Sequence, residues 1–190
     1  MSKVAIIDYN CGNIFSLANA LNTIKQPFDI VDTASSLAKY DHAILPGVGS
    51  FGPAMRHLID IGFDDELREF ASKKKNVLGI CLGMQLLLSE SHENGLHNGI
   101  GLIDGVVEKI TVIDGKERVP NIGWHTINNN SLSQIPYKFF DGQNVFGRRK
   151  SYWEVQQRFW TSGTKTKWSR RSPLPLLCLR SLSNLIAILC

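Results

Sequence analysis

Through the first three quarters of the chain, short apolar runs alternate with stretches of helical period. Residues 3–8, KVAIID, form an apolar run ending in Asp8 and read as a strand. From Gly12 onward Ile14, Leu17, Ala18, Leu21 and Ile24 recur at helical spacing until Pro27 stops them. FDIV (28–31) and HAILP (42–46) are two further strands, the second closed by Pro46 and a glycine loop. PAMRHLIDIG (53–62) predicts a helix with Pro53 in its first turn, and DDELREFASKK (64–74) another that begins acidic and ends basic. NVLGI (76–80) is a fourth buried strand, followed by a helix over MQLLLSE (84–90). Beyond Gly105 the alternation VVEKITVI (106–113) predicts half-buried strands at the edge of the sheet. Strands alternating with helices in this order predict an α/β layered domain with a largely parallel sheet.

Composition adds little until the end of the chain. A length of 190 residues, 43% apolar and 20% charged, suits one globular core. Cys11, Cys81, Cys178 and Cys190 show neither a CxxC pair nor metal-ligand spacing, and with the strand-like KVAIID at residues 3–8 no secretory leader is expected. Reduced thiols, a cytoplasmic location and no metal or cofactor are therefore expected. The apolar stretch 174–190 is interrupted by Arg180, Ser181, Ser183 and Asn184, so it is not read as a membrane span. The net charge of +4 hides a break: residues 1–145 carry 12 Lys and Arg against 16 Asp and Glu, residues 146–190 carry 9 against the single Glu154. Trp153, Trp160 and Trp168 fall in that basic segment. No nucleic-acid module surrounds them, and no nucleic-acid partner is expected.

In open parallel sheets chemistry collects in loops at the carboxyl ends of strands. DYNCGN (8–13), PGVGSFG (46–52) and the CLG turn (81–83) occupy such places. Gly47, Gly49 and Gly52 spell G-x-G-x-x-G, but the acid that should hold a ribose some 20 residues on is missing, since Glu66 and Glu69 lie in an amphipathic helical stretch. Two other uses remain: glycines that merely turn the chain, or backbone N–H groups that meet a developing oxyanion.

The second use needs a nucleophile, and Gly79-Ile80-Cys81-Leu82-Gly83 is the cysteine form of the G-x-S-x-G elbow. There a sharp strand-to-helix turn presents the side chain, the helix start lowers the thiol pKa, and the N–H of Leu82 points toward the carbonyl under attack. A cysteine filling a tight strand–helix contact has the same local pattern.

With IDYNCGN, LPGVGSFGPAM, GICLGMQLL and VPNIGWH in order, the chain resembles the class I glutamine amidotransferases, and within them the glutaminase subunits of imidazole-glycerol-phosphate synthase. The resemblance covers roughly residues 3–145 and implies a three-layer, flavodoxin-like α/β domain. It implies hydrolysis of glutamine, with ammonia passed to a (β/α)8-barrel cyclase subunit of histidine biosynthesis as heterodimer partner. Cys81 would then form a glutamyl thioester; Leu82 and the Gly47-Val48-Gly49 strand would supply oxyanion donors, and Gln85 and Gly49 would contact the substrate. Asn13, Pro120, Gly123 and Trp124 match positions facing the cyclase. His125 departs from the Asn that usually follows Gly-Trp.

A thioester mechanism also needs a histidine base and a carboxylate to orient it. The family carries both in a His-Pro-Glu motif near its C-terminus, preceded by a Tyr-Phe-Val-His-Ser-type strand. Here all five histidines, His42, His57, His92, His97 and His125, precede residue 126, and no His-Pro-Glu occurs. His42, His57, His92 and His97 read as solvated surface residues. The resemblance ends near FFDGQNV, where the charge balance also breaks. Residues 1–145 thus read as an incomplete amidotransferase domain, and 146–190 as an anomalous basic tail of the kind a shifted reading frame produces, with the late strands of the sheet disrupted.

Overall fold

A computed structural model describes residues 3–109 and, as backbone strands, 123–127, 145–149, 153–156 and 185–188. In chain order the first elements are β1 (Val4–Ile7), α1 (Ile14–Thr23), β2 (Phe28–Val31), a 3-10 turn (Ala34–Lys39), β3 (His42–Leu45), α2 (Phe51–Asp60), α3 (Phe63–Ser72) and β4 (Asn76–Ile80). They are followed by α4 (Leu82–Leu86), β5 (Leu88–Ser91), β6 (His97–Asn98), β7 (Ile103–Lys109), β8 (Gly123–Ile127), β9 (Val145–Arg149), β10 (Trp153–Gln156) and β11 (Leu185–Ile188).

The main sheet has five parallel strands in the order β11-β4-β3-β1-β2. β1 is buried at every position, as a strand covered on both faces must be. Its alternate residues serve two cores: Ala5 and Ile7 join the larger cluster with α2, α3 and α4, while Val4 and Ile6 join Leu21 of α1 and Ile44 on the opposite face. Helices on both sides of one sheet make the expected three layers. The basic tail contributes β11 beside β4, and β10 antiparallel to β7.

Local chemistry explains the helix ends. Asn13 caps α1, its Oδ1 accepting the Ser16 N–H at 3.2 Å. Gly62, at φ +76°, makes the left-handed turn from α2 into α3. Asp64, Asp65 and Glu66 occupy the first turn of α3 as the helix dipole prefers, but the helix ends at Ser72, so the lysines expected in its last turn follow it. Arg68 bridges Asp64 (2.9 Å) and Asp65 (2.7 Å) and donates to the Ile100 carbonyl at 3.0 Å, tying α3 to the chain leading into β7.

Two expectations are corrected here. The helix expected over 84–90 stops at Leu86, and β5 begins at Leu88. Leu86, Leu87 and Leu88 are all fully buried, so no polar face exists for a helix to show. Their carbonyls accept N–H groups of Ile100, Ile103 and Gly101 from the returning chain at 2.8–3.0 Å, which satisfies the helix end without another turn. The strand read at 106–113 does not edge the main sheet either. Its described part belongs to β7, in a second sheet ordered β10-β7-β5-β6.

Packing separates Leu67, fully buried under α3, from Phe15, 76% exposed on α1. Leu67→Ala is expected to lower unfolding free energy by about 2–5 kcal/mol, and Phe15→Ala to change it by less than about 0.5 kcal/mol. Urea denaturation followed by circular dichroism checks both.

Candidate functional site

Cys81 joins β4 to α4 with φ +57° and ψ −116°, a conformation that L side chains rarely adopt and that cores rarely tolerate without a reason. The turn is held from both sides by bare backbone. A Cβ on Gly79 would lie 2.6 Å from Met84 Cα, and one on Gly83 would lie 1.9 Å from the Leu45 carbonyl oxygen. Both glycines of the elbow are thus required by close approach. The Cys81 carbonyl accepts the N–H groups of Met84 (3.1 Å) and Gln85 (3.3 Å), starting the helix that carries Gln85 in its first turn. Leu82 is 2% exposed and, as first residue of α4, has an N–H without an intrahelical acceptor.

The glycine loop after β3 lies directly against this turn. A Cβ on Gly47 would meet Gly83 N at 2.4 Å, Leu82 Cβ at 2.8 Å and the Tyr9 hydroxyl at 2.8 Å. That hydroxyl is buried and donates to the Pro46 carbonyl at 2.8 Å. Burial pushes the Tyr9 pKa up, and the neighbouring Cys11 and Cys81 thiols add to the rise, so Tyr9 stays a neutral donor when a thiol ionises. Gly49 stands at φ +103° in open space. Val48, half-exposed, gives its N–H to the Cys11 carbonyl at 2.7 Å. An oxyanion can use that donor only after the bond to Cys11 opens.

The first loop therefore meets the second twice, through Tyr9 and through Cys11. Gly12 also packs on the Pro46 ring, where a Cβ would come within 2.8 Å. Asn13 ends this loop with its side-chain oxygen engaged in the α1 cap. Gly123 and Trp124 lie on β8, opposite Arg149 and Arg148 of β9, and His125 lies opposite Gly147. Pro120 lies outside the described residues.

Sequence reasoning missed Glu93. It is 9% exposed, and its Oε2 accepts the Phe51 N–H at 2.8 Å at the start of α2, where the glycine loop ends. No local pattern announces it, because the contact spans 42 residues. His97 is half-buried rather than solvated: it stacks on Phe51 at 6.3 Å and lies against Gly52. His42 is half-buried beside Asn76 at 2.9 Å, and His57 is half-buried on α2. His92 is exposed as expected, between Glu90 (2.7 Å) and Glu108 (3.6 Å). Among the described residues no three His, Cys, Asp or Glu side chains group to hold a metal, and no helix is long and apolar enough to cross a membrane.

The sequence profile of the CobB/CobQ-like glutamine amidotransferase domain matches residues 3–118. The chain is 42% identical over 125 residues to the imidazole glycerol phosphate synthase subunit HisH of Chlorobaculum tepidum, covering 66% of this chain and 61% of that protein. It is 39% identical over 144 residues to the subunit of the same name from Oceanobacillus iheyensis, covering 72% and 70%. The chain spans about 60% of the length of the Chlorobaculum tepidum and Wolinella succinogenes subunits. A crystal structure of a glutamine amidotransferase superposes with a TM-score of 0.66 at 17% identity, over 97% of this chain and 87% of that one. PurLQS from Thermotoga maritima superposes with a TM-score of 0.56 at 18% identity, over 84% and 71%. At these identities the likeness is one of fold.

Gly83 of α4 and Gly49 of the glycine loop should respond differently to substitution. Gly83→Ala has no space at all and is expected to prevent the native α4 packing, lowering the urea midpoint sharply. Gly49→Ala has space and suffers only its positive φ, costing about 1–3 kcal/mol. Equal effects in a urea titration would contradict the close approach described.

Proposed function

Given that the chain belongs to the glutamine amidotransferase family, among subunits of the HisH type, we propose that it carries the nucleophile half of a glutaminase site serving imidazole-glycerol-phosphate synthase in histidine biosynthesis. One observation carries this reading: Cys81 is held at φ +57° on a turn walled by the backbone of two glycines. A cysteine that merely filled space would have no need of that strain.

In the proposed step the Cys81 thiolate adds to the carboxamide carbon of glutamine, and the carbon–nitrogen bond breaks. The nitrogen takes a proton and leaves as ammonia; water then splits the γ-glutamyl thioester into glutamate and free thiol. The Leu82 N–H meets the oxyanion, joined by the Val48 N–H once it leaves Cys11. Gln85 and Gly49 contact the substrate, and Glu93 offers a buried carboxylate to its α-ammonium. Asn13, Pro120, Gly123 and Trp124 face a (β/α)8-barrel cyclase, which receives the ammonia in a cytoplasmic heterodimer.

The protons are the weak point. The last histidine in the sequence is His125, and the acid-poor residues 146–190 stand where the family carries its His-Pro-Glu. Residues 146–190 read as a translation out of frame with the first 145. This observation favours a second reading, a docking subunit or decayed gene product that binds the cyclase without turning over glutamine.

Glutamate release, measured with and without a cyclase subunit, tests both. The chain is expected to bind the cyclase and to release glutamate at least about 10³-fold more slowly than a relative with a complete triad, with Cys81→Ala removing any remainder. Release undiminished in Cys81→Ala would take Cys81 out of the mechanism.

A further inference from the structure

The glycine loop has a stiff half and a loose half. Pro46 and Gly47 are buried; Gly47 touches Gly83, Leu82 and Tyr9 at once, and a Cβ on Gly83 would lie 2.9 Å from the Pro46 oxygen. Val48 and Gly49 are exposed, and Gly49 has nothing near it. The boundary between the halves falls where the Tyr9 hydroxyl reaches the loop. Tyr9 is itself fully buried, and its donor goes to a loop carbonyl 37 residues away.

We infer that Tyr9 is a positioning residue for the thioester chemistry proposed above, its hydroxyl clamping the Pro46 carbonyl and Gly47 against the Cys81–Gly83 turn so that only the Val48 and Gly49 amides can rotate toward an oxyanion. The inference rests on that functional reading. A buried hydroxyl satisfied within its own strand or helix would be ordinary core packing. This one instead ties the first loop to the glycine loop at Pro46, just where the glycine loop packs on the Cys81–Gly83 turn. Without it, the Val48 amide can still leave Cys11, but the loop carrying it is no longer held in place. Small misplacements of this kind are expensive in rate, because donors act only when already aimed at the developing charge.

Two alkylating agents separate positioning from folding. A chloromethyl-ketone analogue of glutamine has a carbonyl whose oxygen gains charge as Cys81 attacks; iodoacetamide reacts by simple displacement and needs no loop donor. At pH 9 thiols ionise without a base, so both are applied there to the full chain, and labelling of Cys81 is followed by peptide mass spectrometry. Tyr9→Phe is expected to slow chloroketone labelling about 10- to 100-fold while leaving the iodoacetamide rate unchanged. 4-Aminophenylalanine at position 9, which keeps a donor at the same place, is expected to restore it. If Tyr9→Phe does not fold, 4-fluorophenylalanine fills the hydroxyl's volume without a donor and repeats the test. Equal chloroketone rates in the parent and donor-free chains, or equal losses with both reagents, overturn the role of Tyr9. A parent chain that shows no preference for the glutamine analogue over chloroacetone overturns the functional reading instead.

Discussion

The start of α4 is seated against the end of β3 with no side chain between them. A Cβ on Gly83 would lie 1.9 Å from the Leu45 carbonyl oxygen, and one on Gly47 would lie 2.4 Å from Gly83 N. That approach decides the turn angle at Cys81, brings the glycine loop beside the thiol, and leaves Tyr9 a carbonyl within reach. It also depends on the sheet behind it: β3 and β4 are neighbours in parallel register, Leu45 opposite Gly79. Adjacent parallel strands put their carboxyl ends side by side, so their loops meet without further design.

The first loop then governs the second. Its Tyr9 hydroxyl and its Cys11 carbonyl grip the glycine loop at opposite ends of the same short segment, one bond buried and the other at exposed Val48. A buried hydrogen bond is costly to leave unmade, whereas an exposed amide can trade its partner for water at little cost. The site as described is thus at rest. Cys81, the proposed nucleophile, stands on its strained turn, while the Val48 N–H, a proposed oxyanion donor, is engaged by the Cys11 carbonyl.

Most of the main layer was legible because its signals are local. The apolar run of β1, the period of α1 and Pro53 at the head of α2 each follow from a few neighbouring residues, and the glycines around Cys81 announced the elbow. What could not be read arises across distance. Leu86 to Leu88 carry no period that separates a short helix from the strand following it, and only the returning residues 99–103 decide the matter. His97 looked solvated and Glu93 gave no local signal, yet Phe51 and Gly52 pack against them from 40-odd residues away. The engagement of Val48 by Cys11 is likewise invisible in sequence, since any residue has a carbonyl.

We propose that residues 146–190 follow a change of reading frame near Val145, which has separated an amidotransferase nucleophile from its base. Reading the coding DNA from about codon 135 in all three frames tests it most directly. Another frame is expected to carry Gly-Gln-Asn-Val onward into a Val-His-Ser strand and then a His-Pro-Glu motif. The absence of both motifs from every frame would contradict it, leaving residues 146–190 as the chain's own ending.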